Sequence, residues 1–227
     1  MKHLVLLAAV LLFTSCAFSK QDSGSGQMIQ HKISFGDKVL EISLPDKEQR
    51  SEFIFGKEKE IPSAVDVKDK SIYDKQDSHY FISKIWGWKS KFIGRVYGSL
   101  KFTASVHTTE DAKLQTINDL KVALKKRNEI IHEEMIGNYI DGVPVVVLPN
   151  KYDDIKINGT EFVYYTITYL SKPPTPHYVA RLSETHYLKL KFNYIPNSGE
   201  SESDWRAAAK NIETSIIQSI RLRDQGL

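Results

Sequence analysis

The sequence predicts an α+β domain, an antiparallel sheet flanked by helices, from three observations. Several segments alternate apolar and polar residues at period two, most plainly THYLKLKFNYI at residues 185–195. Two others, near residues 114–124 and 205–216, place apolar residues at helical spacing. Finally, the helical segments fall between and after runs of strands instead of alternating with each one, which is the order of segregated layers.

Taken in order, HKISFGDKVLEISLP reads as a hairpin. Ile33 and Phe35 share one strand face, Leu40, Ile42 and Leu44 share the next, Gly36-Asp37 supplies the tight turn and Pro45 ends the second strand. Residues 46–77 are rich in Lys, Asp and Glu without clear periodicity, so a long surface connection is expected, with one short element around 61–67. Order returns at HYFISKIWGW and RVYGSLKFTASVH, where Val96, Leu100, Phe102, Ala104 and Val106 share a face. Thr108, Thr109, Glu110 and Asp111 are expected to cap a helix bearing Leu114, Ile117, Leu120 and Leu124. Lys121, Lys125, Lys126 and Arg127 lie toward its C-terminal end, where the macrodipole favours cations.

Four more strands are expected: YIDGVPVVVL, EFVYYTITYL, HYVARL and the segment at 185–195, forming a meander with one wet face that carries Lys189, Lys191 and Asn193. Lys172 to His177, with three prolines, reads as a stiff connection before HYVARL. A last helix opens near Ser201 and carries Trp205, Ala208, Ala209, Ile212 and Ile216 on one side, running to Leu222.

The N-terminus has its own organisation. Lys2, the apolar run Leu4 to Phe13 and the small residues Thr14 and Ser15 form an export signal, too short to span a bilayer, which needs about 18–20 residues. Phe13, Thr14, Ser15 and Cys16 resemble the bacterial lipobox, whose cysteine receives a diacylglyceryl thioether. Cys16 is the single cysteine of the chain, with no thiol to pair with. The competing reading is an apolar cysteine in a signal cut elsewhere. The lipobox implies residues 1–15 as a signal peptide, 16–27 as a flexible tether of the FSKQDSGSGQ type, and 28–227 as one domain. It further implies a lipid anchor on Cys16, placing the domain in the bacterial envelope. With Ala17 following the cysteine, the resemblance points to the outer membrane, facing the periplasm.

The 31 Lys plus Arg against 28 Asp plus Glu, net charge +3, lack the basic block of a nucleic-acid binder. The six histidines beyond the signal (His31, His79, His107, His132, His177, His186) show no HExxH spacing, so no metal and no cofactor are expected. No Gly-x-Ser-x-Gly elbow occurs. The carboxylate pairs Glu133-Glu134 and Asp153-Asp154 read as solvated loops, and Asn158-Gly159 as a turn, so no catalytic residue is assigned. The most suggestive local feature is Trp86 and Trp88, on one face of an extended strand beside Lys89, Lys91 and Arg95. Exposed, these five would anchor a protein or glycan; the competing reading buries both rings beneath a helix.

The opening hairpin ending in Leu44-Pro45, the helix after a long strand, Ile157-Asn158-Gly159 leading into an aromatic strand, the strand HYLKLKF, and the closing Ser219-Ile220-Arg221-Leu222 together resemble the Mog1/PsbP-like α/β/α sandwich over residues 32–222. That resemblance implies a binding or assembly module, of the kind that includes secretion-system accessory proteins, with no shared catalytic site. The expectation is a non-enzymatic, membrane-tethered envelope lipoprotein that binds another protein, for example an immunity protein against a secreted toxin. The alternative is an envelope assembly or stress factor that binds peptidoglycan or a membrane complex.

Overall fold

The computed structural model describes residues 26–46, 60–89, 96–109, 112–170, 172–197 and 204–226. Cys16, the signal segment and nearly all of the tether therefore lie outside the described residues. The domain is predominantly antiparallel β with two α-helices.

The hairpin forms as expected. β1 (Met28–Ser34) pairs with β2 (Lys38–Pro45), and Gly36 at φ +78° takes the left-handed conformation that the turn requires. The Gln27 carbonyl accepts from the Asp46 amide at 2.9 Å, which extends the pairing one residue beyond β1. Within the charged connection, Val65 and Val67 are buried, and Ala64 bridges Ser34 in parallel. What holds this stretch is local: the carboxylates of Asp66, Asp69 and Asp74 accept backbone amides from Lys68, Ser71, Gln76 and Ser78.

β3 (Ser78–Lys89) and β4 (Val96–Thr108) follow, then α1 (Ile117–Ile131). The helix starts later than predicted. Thr108 ends β4, and the cap is Thr116, whose hydroxyl accepts the Asp119 amide at 3.2 Å while Asp119 accepts the Thr116 amide at 2.7 Å. This reciprocal capping box outcompetes the Thr108–Asp111 cluster because it closes both orphan donors at once. YIDGVPVVVL is likewise not one strand: β5 (Tyr139–Ile140) and β6 (Val143–Pro144) make a hairpin around Asp141-Gly142, both at positive φ, and β7 (Val146–Val147) is separate.

β8 (Asp153–Ile157) occupies a stretch read as loop and turns through Asn158-Gly159 into β9 (Thr160–Tyr169). The Asn158 amide donates to the carbonyls of Gln218 and Ile220, fastening that turn to the C-terminal segment. β10 (Thr175–Arg181) includes Pro176 and His177, which had been expected in a stiff connection, and β11 (His186–Pro196) follows. The closing helix α2 (Asp204–Ser219) stops short of Leu222. Arg221 to Asp224 form β12 (Arg221–Asp224), which pairs with β2.

The main sheet runs β3-β4-β11-β10-β9-β7, with β8 also on β9; β1-β2-β12 form a small sheet. One face of the main sheet, including Leu100, Phe102, Phe162, Leu188, Leu190 and Phe192, packs against α2 and the small sheet. The opposite face, with Val163, Tyr165, Ile167, Val179 and Tyr187, packs against Leu120 and Leu124 of α1.

Trp205 of α2 lies over Gly98 of β4 and beside Trp88, ring centroids 5.9 Å apart. A Cβ on Gly98 would stand 2.3 Å from the Trp205 ring. Replacing a strand glycine normally stabilises through backbone entropy, so Gly98→Ala isolates the clash. The expected outcome is a loss of about 1–3 kcal/mol in the free energy of urea unfolding, and an unchanged midpoint would contradict this packing.

Candidate functional site

The tryptophan patch is not an outward surface. Trp86 is 4% and Trp88 5% exposed, both in the main core beside Trp205, because alternation along β3 turns them toward α2. This corrects the exposed reading for those two residues and follows the competing one. The Lys89 side chain, Lys91 and Arg95 lie outside the described residues.

The polar chemistry sits instead on the sheet face beneath α1, and the strand registers place it in three adjacent rows. Ser78, His107, Tyr187 and Arg181 form one row; Ser105, Lys189, Val179 and Val163 the next; Thr103, Lys191, His177 and Tyr165 the third. The meander's predicted wet face is therefore largely enclosed: Ser105, His107, His177, Tyr165 and Tyr187 are buried, while Lys189 and Lys191 keep some accessible surface.

His107 is held at both ring nitrogens, Nδ1 3.0 Å from the Ser78 hydroxyl and Nε2 2.8 Å from the Ser105 hydroxyl, and its ring stacks on Tyr187 at 4.9 Å. Arg127 reaches from α1 to donate to the Gln76 carbonyl and, at 3.2 Å, to the Ser78 hydroxyl. At the far end of the helix, His132 contacts the Asn128 carbonyl through Nδ1 at 2.7 Å and the Tyr169 hydroxyl through Nε2 at 2.8 Å. Asn128 in turn donates to Tyr152. His186, at the sheet end, meets Ser183 and Thr185. Neither His132 nor His186 has a carboxylate among these partners. Asp153 and Asp154 lie on β8, not a loop, and pair with Lys151 and Lys121.

A second set of groups is less well provided for. His177 stacks on Tyr165 at 4.7 Å, yet neither ring nitrogen has a hydrogen-bond partner; the Tyr187 hydroxyl and the Nε of Arg127 are also without one, as are the indole nitrogens of Trp86 and Trp88 on the opposite sheet face. Burial, reinforced by Lys189 and Arg127, holds His107 well below the usual imidazole value, and burial with Lys189, Lys191, His132 and His107 does the same to His177. Burial, then Lys191 and Arg127, push the Lys189 ammonium down to about 7. Lys189 retains some accessible surface, so the surrounding protein desolvates it without sealing it off. No ion pair among the described residues involves Lys189, Lys191 or Arg127. The sequence pass did not pick out this cluster, although alternation on three neighbouring strands puts its tyrosines, histidines and lysines on one face. The omission came from treating lysines on alternate positions as a sign of solvent.

A shallow depression of about 310 Å³ lies elsewhere, over β1, β2 and β12. Of its charged lining, Arg223 pairs with Glu41 and Asp224 with Lys38, each at 2.6 Å, and Lys32 lies beside them.

Beyond α1 the surface changes character. From Glu133 to Gly142 every residue is exposed, including Met135, Ile136, Tyr139 and Ile140, and Ile130 is exposed just before them. Backbone bonds fix the segment: the amides of Met135 and Ile136 both donate to the His132 carbonyl, and Val145 donates to Asn138. Residues 128–150 contain Glu129, Glu133, Glu134 and Asp141 but no lysine or arginine, making an apolar ridge with acidic edges. Known proteins offer no guide here: no protein-family model matches the chain, and no curated protein does either.

The cost of burying Lys189 is measurable. The unfolded chain holds a proton on this residue up to about 10.5, the folded chain only up to about 7. Stability through Lys189 is therefore complete above the upper value and falls as pH drops toward the lower one. Lys189→Met should raise the urea midpoint most at about pH 6–7, with the gain shrinking toward about pH 10. A gain that stays constant across this range would contradict the depressed ammonium.

Proposed function

We propose that this chain is a lipid-anchored protein of the bacterial envelope whose domain, from Met28 onward, is a non-enzymatic protein-binding module. The observation that carries the binding half is the ridge at 130–140. Monomeric proteins seldom expose that many large apolar side chains together without a partner. Here they are held by ordered backbone bonds, not left as a loose loop. The acidic edges select the partner's chemistry: an apolar protein surface rimmed by lysine or arginine. They also disfavour an anionic bilayer as the occupant. An immunity role, in which the ridge covers a basic face of a secreted toxin, is one concrete form of this reading.

The anchor half rests on the lone Cys16 at the end of the apolar run. Between it and β1 lie residues 17–27, which could span at most about 40 Å when fully extended. That is enough to let a domain stand off a bilayer in the outer-membrane, periplasm-facing location implied by Ala17. Two layers packing against opposite faces of an antiparallel sheet support a Mog1/PsbP-like sandwich, in keeping with a binding role.

Two measurements separate the halves. Intact mass of the mature protein should show a diacylglyceryl thioether on Cys16, and Cys16→Ser should release the domain into the soluble fraction; a free thiol on an uncut chain would remove the anchor.

For the ridge, Ile136→Lys with Tyr139→Lys should leave stability within about 0.5 kcal/mol, as surface substitutions do. The same double variant should weaken capture of a basic partner from detergent-solubilised membranes by at least about tenfold. Equal capture by parent and variant would eliminate the ridge as the binding surface.

A further inference from the structure

We propose that the outer edge of β1 pairs with the same edge of a second copy of this chain, antiparallel and centred on Gln30. The inference is independent of the lipid anchor and of the ridge.

β1 closes one side of the small sheet, with β2 on its inner side and no further strand beyond it among the described residues. The direction of its backbone groups follows from the bonds at its two ends. Gln27 accepts from Asp46 and Phe35 donates to Lys38, so the odd-numbered residues exchange bonds with the β2 side. Ser34 instead donates outward to the Ser63 carbonyl at 2.9 Å and accepts from Val65 at 2.8 Å. An antiparallel ladder alternates strictly, and the register of β1 on β2 runs without a bulge. Met28, Gln30 and Lys32 therefore aim both their N–H and C=O groups away from the sheet. No backbone bond from a turn or loop among the described residues reaches them there. The stretch is exposed in side chain as well, with the apolar Met28 and Ile29 in it. Such a row of free donors and acceptors is a template for another strand, which native proteins ordinarily cover. Here the cover extends only to Ser34.

The limits of the open stretch choose both occupant and register. Ser63 blocks further pairing at Ser34, and the strand begins at Met28, so the free edge runs from Met28 to Lys32. A second β1 laid antiparallel about Gln30 sets Met28 opposite Lys32, Gln30 opposite Gln30 and Lys32 opposite Met28. Every outward N–H and C=O of each copy then meets its complement under a single two-fold axis, the isologous arrangement of most homodimers. The side chains agree with this register. Ile29 of each copy meets His31 of the other, Met28 lies along the aliphatic stem of Lys32, and no like charges stand directly opposite. A strand from another protein would have to supply that match, whereas this chain already carries it. None of the ridge residues lies on β1, so the pair would keep two ridges available.

A pairing this short buries far less than the roughly 1,200 Å² of a stable interface, so chemical trapping reads it better than isolation of a dimer. In the full chain carrying Cys16→Ser, purified in detergent, an introduced cysteine is the only thiol. Gln30→Cys puts the two facing Cα atoms about 5.5 Å apart across the axis, within disulfide range. Met28→Cys or Lys32→Cys puts each residue roughly 14 Å from its own copy. All three positions are exposed. With oxidised glutathione as the oxidant, Gln30→Cys should link to itself at least about tenfold faster than either of the others alone. A mixture of Met28→Cys and Lys32→Cys chains should link faster than either by itself. Equal rates at the three positions, or no advantage for the mixture, would overturn the register and the self-pairing with it. Linking of Gln30→Cys to a foreign protein in envelope extracts, in place of its own copy, would overturn it too and assign the edge to another protein's strand.

Discussion

The structure depends most on the register between β4 and β11. These central strands pair in unbroken sequence from His186 on Thr108 to Pro196 on Gly98. Alternation along β11 sends Leu188, Leu190, Phe192 and Tyr194 to one side and Tyr187, Lys189, Lys191 and Asn193 to the other. A slip of one residue would exchange the two sets, placing lysines against Trp205 and Ile216 and leucines beneath α1. The register thus separates a face that the protein closes with hydrocarbon from one that it leaves polar.

The two faces hold their buried polar groups in different ways. The apolar side admits one buried carboxylate, Glu213, and surrounds it with two tyrosine hydroxyls and a lysine. Burial, together with the nearby carboxylate, pushes both of those phenols far above their usual value, so they remain donors. On the α1 side, His107 and His132 are satisfied by hydroxyls and a carbonyl, whereas the ring nitrogens of His177 and the hydroxyl of Tyr187 are not.

Much of the fold was legible because its cues were local. The first hairpin was announced by Gly36 between alternating strands, and the buried side of the last helix by Trp205, Ala209, Ile212 and Ile216. Most of the misreadings share a cause, a distant partner; the α1 start, set by a local cap, is the exception. Residues 221–224 become a strand only because β2 offers an edge, and Pro176 sits inside β10 in a register set by β9 and β11. The α1 start moved because Asp119 completes a cap that Thr108 could not. The enclosure of Lys189 was hidden by a distant partner too. A lysine between two apolar residues announces an exposed face, and only the helix above encloses that face.

Helix α1 also explains how a chain of nearly balanced composition can present two surfaces of opposite charge. Leu120, Leu124 and Asn128 face the sheet, and Arg127 leans from the same side across to Ser78. Glu129 and the residues that follow turn outward into the ridge. The boundary falls at His132, buried, with its ring on the Tyr169 hydroxyl and its carbonyl accepting the amides that shape the ridge. An overall charge of +3 conceals this segregation because the cations beneath the helix offset the carboxylates of the ridge. Absence of a basic block in the sequence says little about local sign. Here strand register gathers cations from β11 beneath a helix whose own end carries the acids, and that placement, more than the composition, determines what each surface can recognise.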